Sequence, residues 1–213
     1  MINSLANSPA FFLVWILAIL TAISVHEFAH AFAADRFGDP TPRMQGRLTL
    51  NPLAHLDPIG TLLLILVRFG WGKPVQFDPY NLQNPRRDAA IISFAGPLSN
   101  IILAVILAVI LRIFSSPFSP LFFLAALIPP FVIINIVLAV FNLIPIHPLD
   151  GGKILVGVLP EENAREMDAF LHRYGMMILL IFIFLPLGGS TPVNAFVFPI
   201  VNFISRLLLP VMV

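Results

Sequence analysis

The sequence predicts an all-α polytopic membrane protein with five or six transmembrane helices, a re-entrant segment and a small membrane-associated β hairpin. Two observations carry this. First, 58% of the residues are hydrophobic and only 11% charged, with a mean hydropathy of +0.94, whereas soluble domains are about 25% charged. Second, several apolar runs reach the roughly 20 residues that a helix needs to cross about 30 Å of hydrocarbon. The 213 residues suit a single membrane-embedded domain over 1–213, with no room for a second sizeable one. The net charge of +1, from 12 basic and 11 acidic residues, leaves no polycationic face for nucleic acid. The absence of cysteine excludes disulfides, thiolate nucleophiles and sulfur-ligated metal. Met1 to Pro9 lacks a basic start and the apolar run after it is too long for a cleavable signal peptide.

Each element follows from the placement of charge and proline. Phe11 to Ala34 is long enough to span and carries one charge, Glu27. Ala89 to Leu111 carries none. Pro117 to Leu149 is also charge-free, but Asn142, Pro145 and Pro148 should break its helix near the end. Phe170 to Leu187 and Val193 to Val213 form a closing hairpin, about 170–213, turning at Gly188, Gly189 and Pro192. Ile59 to Val67 reaches only about 13 Å as a helix, so it reads as re-entrant or interfacial. With that segment not crossing, every Lys and Arg except Arg112 lies on one side, which the positive-inside rule makes the cytoplasm. This gives five crossings, with the N-terminus outside and the C-terminus inside, in the cell membrane. A crossing by Ile59 to Val67 would make six. Gln45 to Leu50 alternates polar and apolar residues and reads as a short strand or hairpin at the membrane surface.

Ionisable groups inside a span need a reason. His26-Glu27-Phe28-Ala29-His30 places two imidazoles four residues apart, on one helix face, where both can bind one metal ion. Glu27 projects from the adjoining turn, suited to taking a proton from a metal-activated water rather than to ligating. This is the H-E-x-x-H arrangement of zinc proteases. A third ligand is required, with one position left open. The candidate is Asp150 in Asn142-Leu143-Ile144-Pro145-Ile146-His147-Pro148-Leu149-Asp150-Gly151-Gly152, at the end of a charge-free stretch; an interfacial helix cap over Gly151 to Leu159 is its alternative role. Asn142 is a candidate hydrogen-bond donor to a developing oxyanion, or else a bridge between helices. Asn100 reads as an interhelical hydrogen-bonding residue. Glu161, Glu162, Glu166 and Asp168 read as a solvated face rather than a second metal site, and His172 as an interfacial residue.

The paired motifs resemble the site-2 protease family of intramembrane zinc metalloproteases. Further matches are Gly46-Arg47-Leu48-Thr49-Leu50-Asn51-Pro52, His55-Leu56-Asp57-Pro58-Ile59-Gly60-Thr61, Gly72-Lys73-Pro74-Val75 and Ala95-Gly96-Pro97-Leu98-Ser99-Asn100. The resemblance implies a three-helix catalytic core within about 9–159, made of the first crossing, Ala89 to Leu111 and Pro117 to Phe141. It also implies one zinc ion held by His26, His30 and Asp150, Glu27 as catalytic base, and a site opening toward the cytoplasm. With no inserted PDZ or cystathionine-synthase-like module, the chain resembles the minimal members. His147 departs from the proline usual there and reads as a cavity-lining residue rather than a ligand. His55 is an auxiliary candidate for steadying the tetrahedral intermediate, and equally a hydrogen-bonded turn residue. The implied partners are a membrane protein with a transmembrane segment as substrate, the lipid bilayer and, as a candidate, a second copy of the chain. The competing function is a metal-binding transporter or sensor without proteolysis, with the broken helix at Asn142 to Pro148 as its site.

Overall fold

The computed structural model describes residues 9–60, 72–116, 118–186 and 188–209. Six helices organise them: α1 (Pro9–Arg36), α2 (Pro85–Phe114), α3 (Pro129–Asn142), α4 (Asp150–Val158), α5 (Glu161–Phe184) and α6 (Phe198–Leu208). Four helical stretches are long and apolar enough to cross a membrane: Pro9–Arg36, Pro85–Phe114, Phe122–Asn142 and Glu161–Phe184. The third joins a 3-10 segment, Phe122–Leu127, to α3. The chain is therefore a multi-pass membrane protein.

α1, α2 and α3 pack mutually, and α4 lies against α2 and α5. Lipid gives apolar side chains no reason to leave it, so such contacts rest on close backbone approach. Many of the buried residues are accordingly small: Ala18, Ala22, Ala31 and Ala34 on α1, Gly96, Ala104 and Ala108 on α2, and Ala139 on α3. The outer faces show Leu13, Leu17, Ile102, Ile106 and Ile113, as a lipid solvent favours. Ala104, Val132 and Ile136 form a core cluster with Val197 and Val201, so α6 is packed onto α2 and α3 rather than standing apart.

Two elements differ from the sequence expectation. Among the described residues 45–50 form no strand; the segment is turns and bends. Gly46 turns the chain at φ +69°, and the Thr49 carbonyl, which a ladder would pair, is taken by a side chain. Arg47 donates to the Ala54 carbonyl and His55 Nε2 to that of Thr49, at 2.7 Å. The helix over Val193–Leu208 is shorter than the crossing expected from Val193 to Val213. Pro199 has no N–H to give the carbonyl of Ala195, and the backbone there widens into a π turn over Val193–Val197. The re-entrant segment Ile59 to Val67 lies, from residue 61 on, outside the described residues.

Candidate metal centre

α1 carries His26 and His30 one turn apart, both buried, and α4 begins at Asp150. Their donor atoms converge. The two Nε2 atoms lie 3.0 Å apart, and Asp150 Oδ2 lies 3.1 Å from one and 3.2 Å from the other. Such spacings are about the edges of a tetrahedron whose bonds are roughly 2.0–2.1 Å, the zinc–imidazole and zinc–carboxylate range.

The partners behind the rings fix which imidazole nitrogens face one another. His30 Nδ1 lies 2.7 Å from the carbonyl of Ile92, which can only accept. His26 Nδ1 lies 2.7 Å from Asn100 Oδ1. The Asn100 amide nitrogen donates to Ala22 O at 3.0 Å and to Asn135 Oδ1 at 2.7 Å, so its oxygen is the acceptor for His26. Asn135 in turn donates to Phe131 O at 2.8 Å. With hydrogen on both Nδ1 atoms, each ring in its neutral form presents a bare Nε2 atom toward the other and toward the carboxylate. Asp150 Oδ2 is buried with no hydrogen-bond donor. Three acceptors at this spacing in apolar surroundings fit a shared cation, and the carbonyl and amide behind the imidazoles are the outer partners that metal-ligating histidines keep.

Glycine makes the convergence possible. A methyl group on Gly96 would run into both rings, so α2 meets α1 backbone to ring. Gly151 sits against the carbonyls of Leu143 and Ile144, and Gly152 against the ring of His147, which lets α4 start directly beneath the turn that ends α3.

Beside the donors is a cavity of about 590 Å³, lined by His26, Glu27, His30, Asn142, Asp150 and Lys153 among apolar neighbours such as Phe141 and Leu180. Glu27 is held at its wall, Oε2 accepting from Val75 N–H at 2.8 Å. Asn142 is also on the wall, with one amide hydrogen donated to Leu138 O at 3.0 Å. His55 does not line the cavity; it is fully buried in the 49–55 turn, bonded to Thr49 O. His147 lies apart from the three donors, 3.3 Å from Asp168. Sequence reasoning missed Asn135, the Ile92 carbonyl and Lys153. Asn135 carried a signal, as an amide in the middle of a charge-free span. Lys153 follows the Asp-Gly-Gly run and is packed over the Phe77 ring at 4.7 Å; burial pushes its ammonium pKa down.

Peptidase family M50 matches the chain over residues 14–126 and 116–186, which include the histidine pair, Glu27 and Asp150. The chain belongs to this family, that of the site-2 proteases. This M50 peptidase is 35% identical over 82% of its length to a Bacillus subtilis (strain 168) protein named "Putative zinc metalloprotease YwhC", of which 81% is covered. It is 34% identical over 82% of its length to "Putative zinc metalloprotease Rip2" of Mycolicibacterium smegmatis, covering 68% of that protein. A more distant relative is "Zinc metalloprotease MJ0392" of Methanocaldococcus jannaschii, 23% identical over 84% of this chain and 45% of that protein. No solved structure gives a significant match.

Proposed function

We propose that this M50 peptidase is an intramembrane zinc protease. It hydrolyses peptide bonds of transmembrane-segment substrates with one zinc ion on His26, His30 and Asp150 and with Glu27 as general base. The observation that carries the reading is the meeting of two imidazole nitrogens and a carboxylate oxygen at 3.0–3.2 Å beside a cavity walled by Glu27. The names of the related zinc metalloproteases agree with it.

Zinc bound there supplies Lewis acidity toward a scissile carbonyl and lowers the pKa of a water at the open position. The residues do the rest. Asn100 and the Ile92 carbonyl hold the imidazoles in the metal-binding tautomer. Glu27, oriented by Val75 N–H, accepts the proton of the attacking water and returns it to the leaving amine. Asn142 has a second amide hydrogen beyond the one given to Leu138, free to donate to the carbonyl oxygen as charge develops. The apolar wall accepts hydrophobic side chains and excludes bulk water. A helical substrate must unwind there, because its own hydrogen bonds cover its carbonyls. The clustering of Lys and Arg on one side supports a site open to the cytoplasm, in the cell membrane.

The test is Glu27→Gln in purified protein with a panel of single-span membrane proteins. Cleavage should fall by about 10²–10⁴-fold while bound zinc stays at the parental level. Parental cleavage by that variant refutes the mechanism. Zinc uptake into proteoliposomes without cleavage by the parent replaces it with transport.

A further inference from the structure

The cavity beside the candidate metal centre shares a wall with a second cavity of about 670 Å³: Phe77 and Lys153 line both. The Lys153 ammonium stands 4.7 Å from the centroid of the Phe77 ring. Among the described residues Lys153 is the one Lys or Arg bordering the inner cavity, whereas the outer one gathers Arg86, Arg87 and Arg165 as well. We propose that the outer cavity receives the polypeptide segment flanking a substrate's membrane span on the cytoplasmic side, and that it selects segments rich in Asp and Glu. The inference rests on the protease reading above and names the substrate class of that site.

The charges around the outer cavity do not cancel. Arg165 is paired with Glu161 at 2.6 Å, and the Asp168 carboxylate lies 3.3 Å from His147 and from His172. Arg86, Arg87 and Lys153 make no ion pair among the described residues, and all three are exposed. Arg86 and Arg87 stand in the first turn of α2, where the helix dipole disfavours cations. Helix stability therefore does not account for them, and the dipole adds to their field. The positive-inside bias explains basic residues on this side of the membrane, not their gathering around one cavity. The frame is also firm: Gly157 of α4 lies against Ala90 and the backbone of Arg86, where a methyl group would collide, so packed helices hold the three cations.

The shared wall favours a polypeptide as the occupant. An unwound substrate leaving the inner cavity on this side passes Phe77 and Lys153, so an apolar span followed by an acidic flank matches an apolar cavity followed by a basic one. Membrane spans as a class carry Lys and Arg on the cytoplasmic side, and those flanks are repelled here. The cavity thus separates a minority of single-span proteins from the rest. Exposed charge pairs are individually weak, and three together give about a tenfold preference.

The experiment measures binding of single-span peptides, identical except for an acidic, a neutral (Gln) or a basic (Lys) cytoplasmic flank. They are titrated against the purified full chain in neutral detergent with a chelator present, so that a metal-dependent enzyme is silent. The acidic flank should bind about tenfold more tightly than the basic one, with the gap shrinking as salt rises. Arg86→Glu combined with Arg87→Glu should reverse the order, which a merely structural role for these residues would not do. Equal affinity for all three flanks overturns the inference, and so does an acidic preference that the double variant keeps. Phosphatidylglycerol binding that the double variant loses, with flank charge having no effect, gives the cavity to a lipid headgroup and also overturns it. Cleavage of the same peptides with zinc restored is scored separately. Flank-dependent binding without cleavage upholds the surface and removes the protease reading; cleavage with equal affinities removes the surface and leaves the protease.

Discussion

Replacing Asn100 with alanine removes three buried hydrogen bonds at once, to His26 Nδ1 at 2.7 Å, Ala22 O at 3.0 Å and Asn135 Oδ1 at 2.7 Å. Each is worth about 0.5–1.5 kcal/mol net, so the fold should lose about 2–4 kcal/mol. The more telling effect is on the metal. With its acceptor gone, the His26 ring is free to rotate and to carry its proton on Nε2, in competition with zinc. Losing an outer partner of this kind typically weakens metal binding 10–100-fold, or about 1.4–2.7 kcal/mol. Asn135→Ala is the graded companion: it removes the bond from Asn100 and the one to Phe131 O, and Asn100 keeps His26 and Ala22. The assay is zinc titration against a competing chelator in detergent, at a temperature where all three proteins stay helical. Parent, Asn135→Ala and Asn100→Ala should bind with falling affinity in that order. Zinc held as tightly by Asn100→Ala as by the parent refutes the tautomer argument, and so does a larger loss in Asn135→Ala.

Two further perturbations test other parts of the site. Gly96→Ala drives a methyl group into the rings of His26 and His30; they must retreat by about 1 Å to regain van der Waals distance, which should cost about 100-fold in cleavage and release zinc on dialysis. Cleavage and zinc content at the parental level would show that α2 does not pack on the rings. Asp39 is buried in the 37–47 connection, and although burial itself works against its charge, donors from Thr41, Asn81 and Asp78 hold its carboxyl below the usual pKa. A carboxyl with a depressed folded-state pKa contributes stability that is complete above the unfolded value of about 3.9 and declines as pH falls through the lower folded value. Asp39→Asn should therefore lose about 1–3 kcal/mol at pH 7, with the gap to the parent narrowing below about pH 4 in thermal unfolding; a gap that widens in acid contradicts the assignment.

What the sequence disclosed follows from how local each signal is. His26, Glu27 and His30 are legible because helical spacing alone fixes their mutual placement. Asp150 is legible because an acid beside two glycines, at the end of a charge-free run, has few other uses. The partners behind the ligands are not local. Asn100 read correctly as a bridge between helices, but that its oxygen also sets the tautomer of His26 depends on which turn of α1 faces which turn of α2. The pairing of His30 with the Ile92 carbonyl leaves no trace in side-chain chemistry at all. The strand expected over 45–50 failed for a related reason. Alternation over so few residues is easily outweighed, and here His55 takes the Thr49 carbonyl that a partner strand would have paired, while Arg47 ties the segment to Ala54.

The polar chain from Phe131 O through Asn135 and Asn100 to His26 binds α3 to α2 and α2 to α1. Each member both accepts and donates, so its direction is set at the α3 end, where a backbone carbonyl can only accept. In a hydrocarbon environment, where apolar packing discriminates poorly between helix and lipid, such bonds are among the few forces that select one helix register over another. The bonds that align the three helices are thus the ones that bare the Nε2 lone pair of His26. A change that let the helices slide would disarm the ligand before it unfolded the bundle. It follows that the proposed metal centre and the core of this peptidase cannot be optimised separately: a variant that repacks Asn100 and Asn135 as leucines should gain apolar contact and lose zinc.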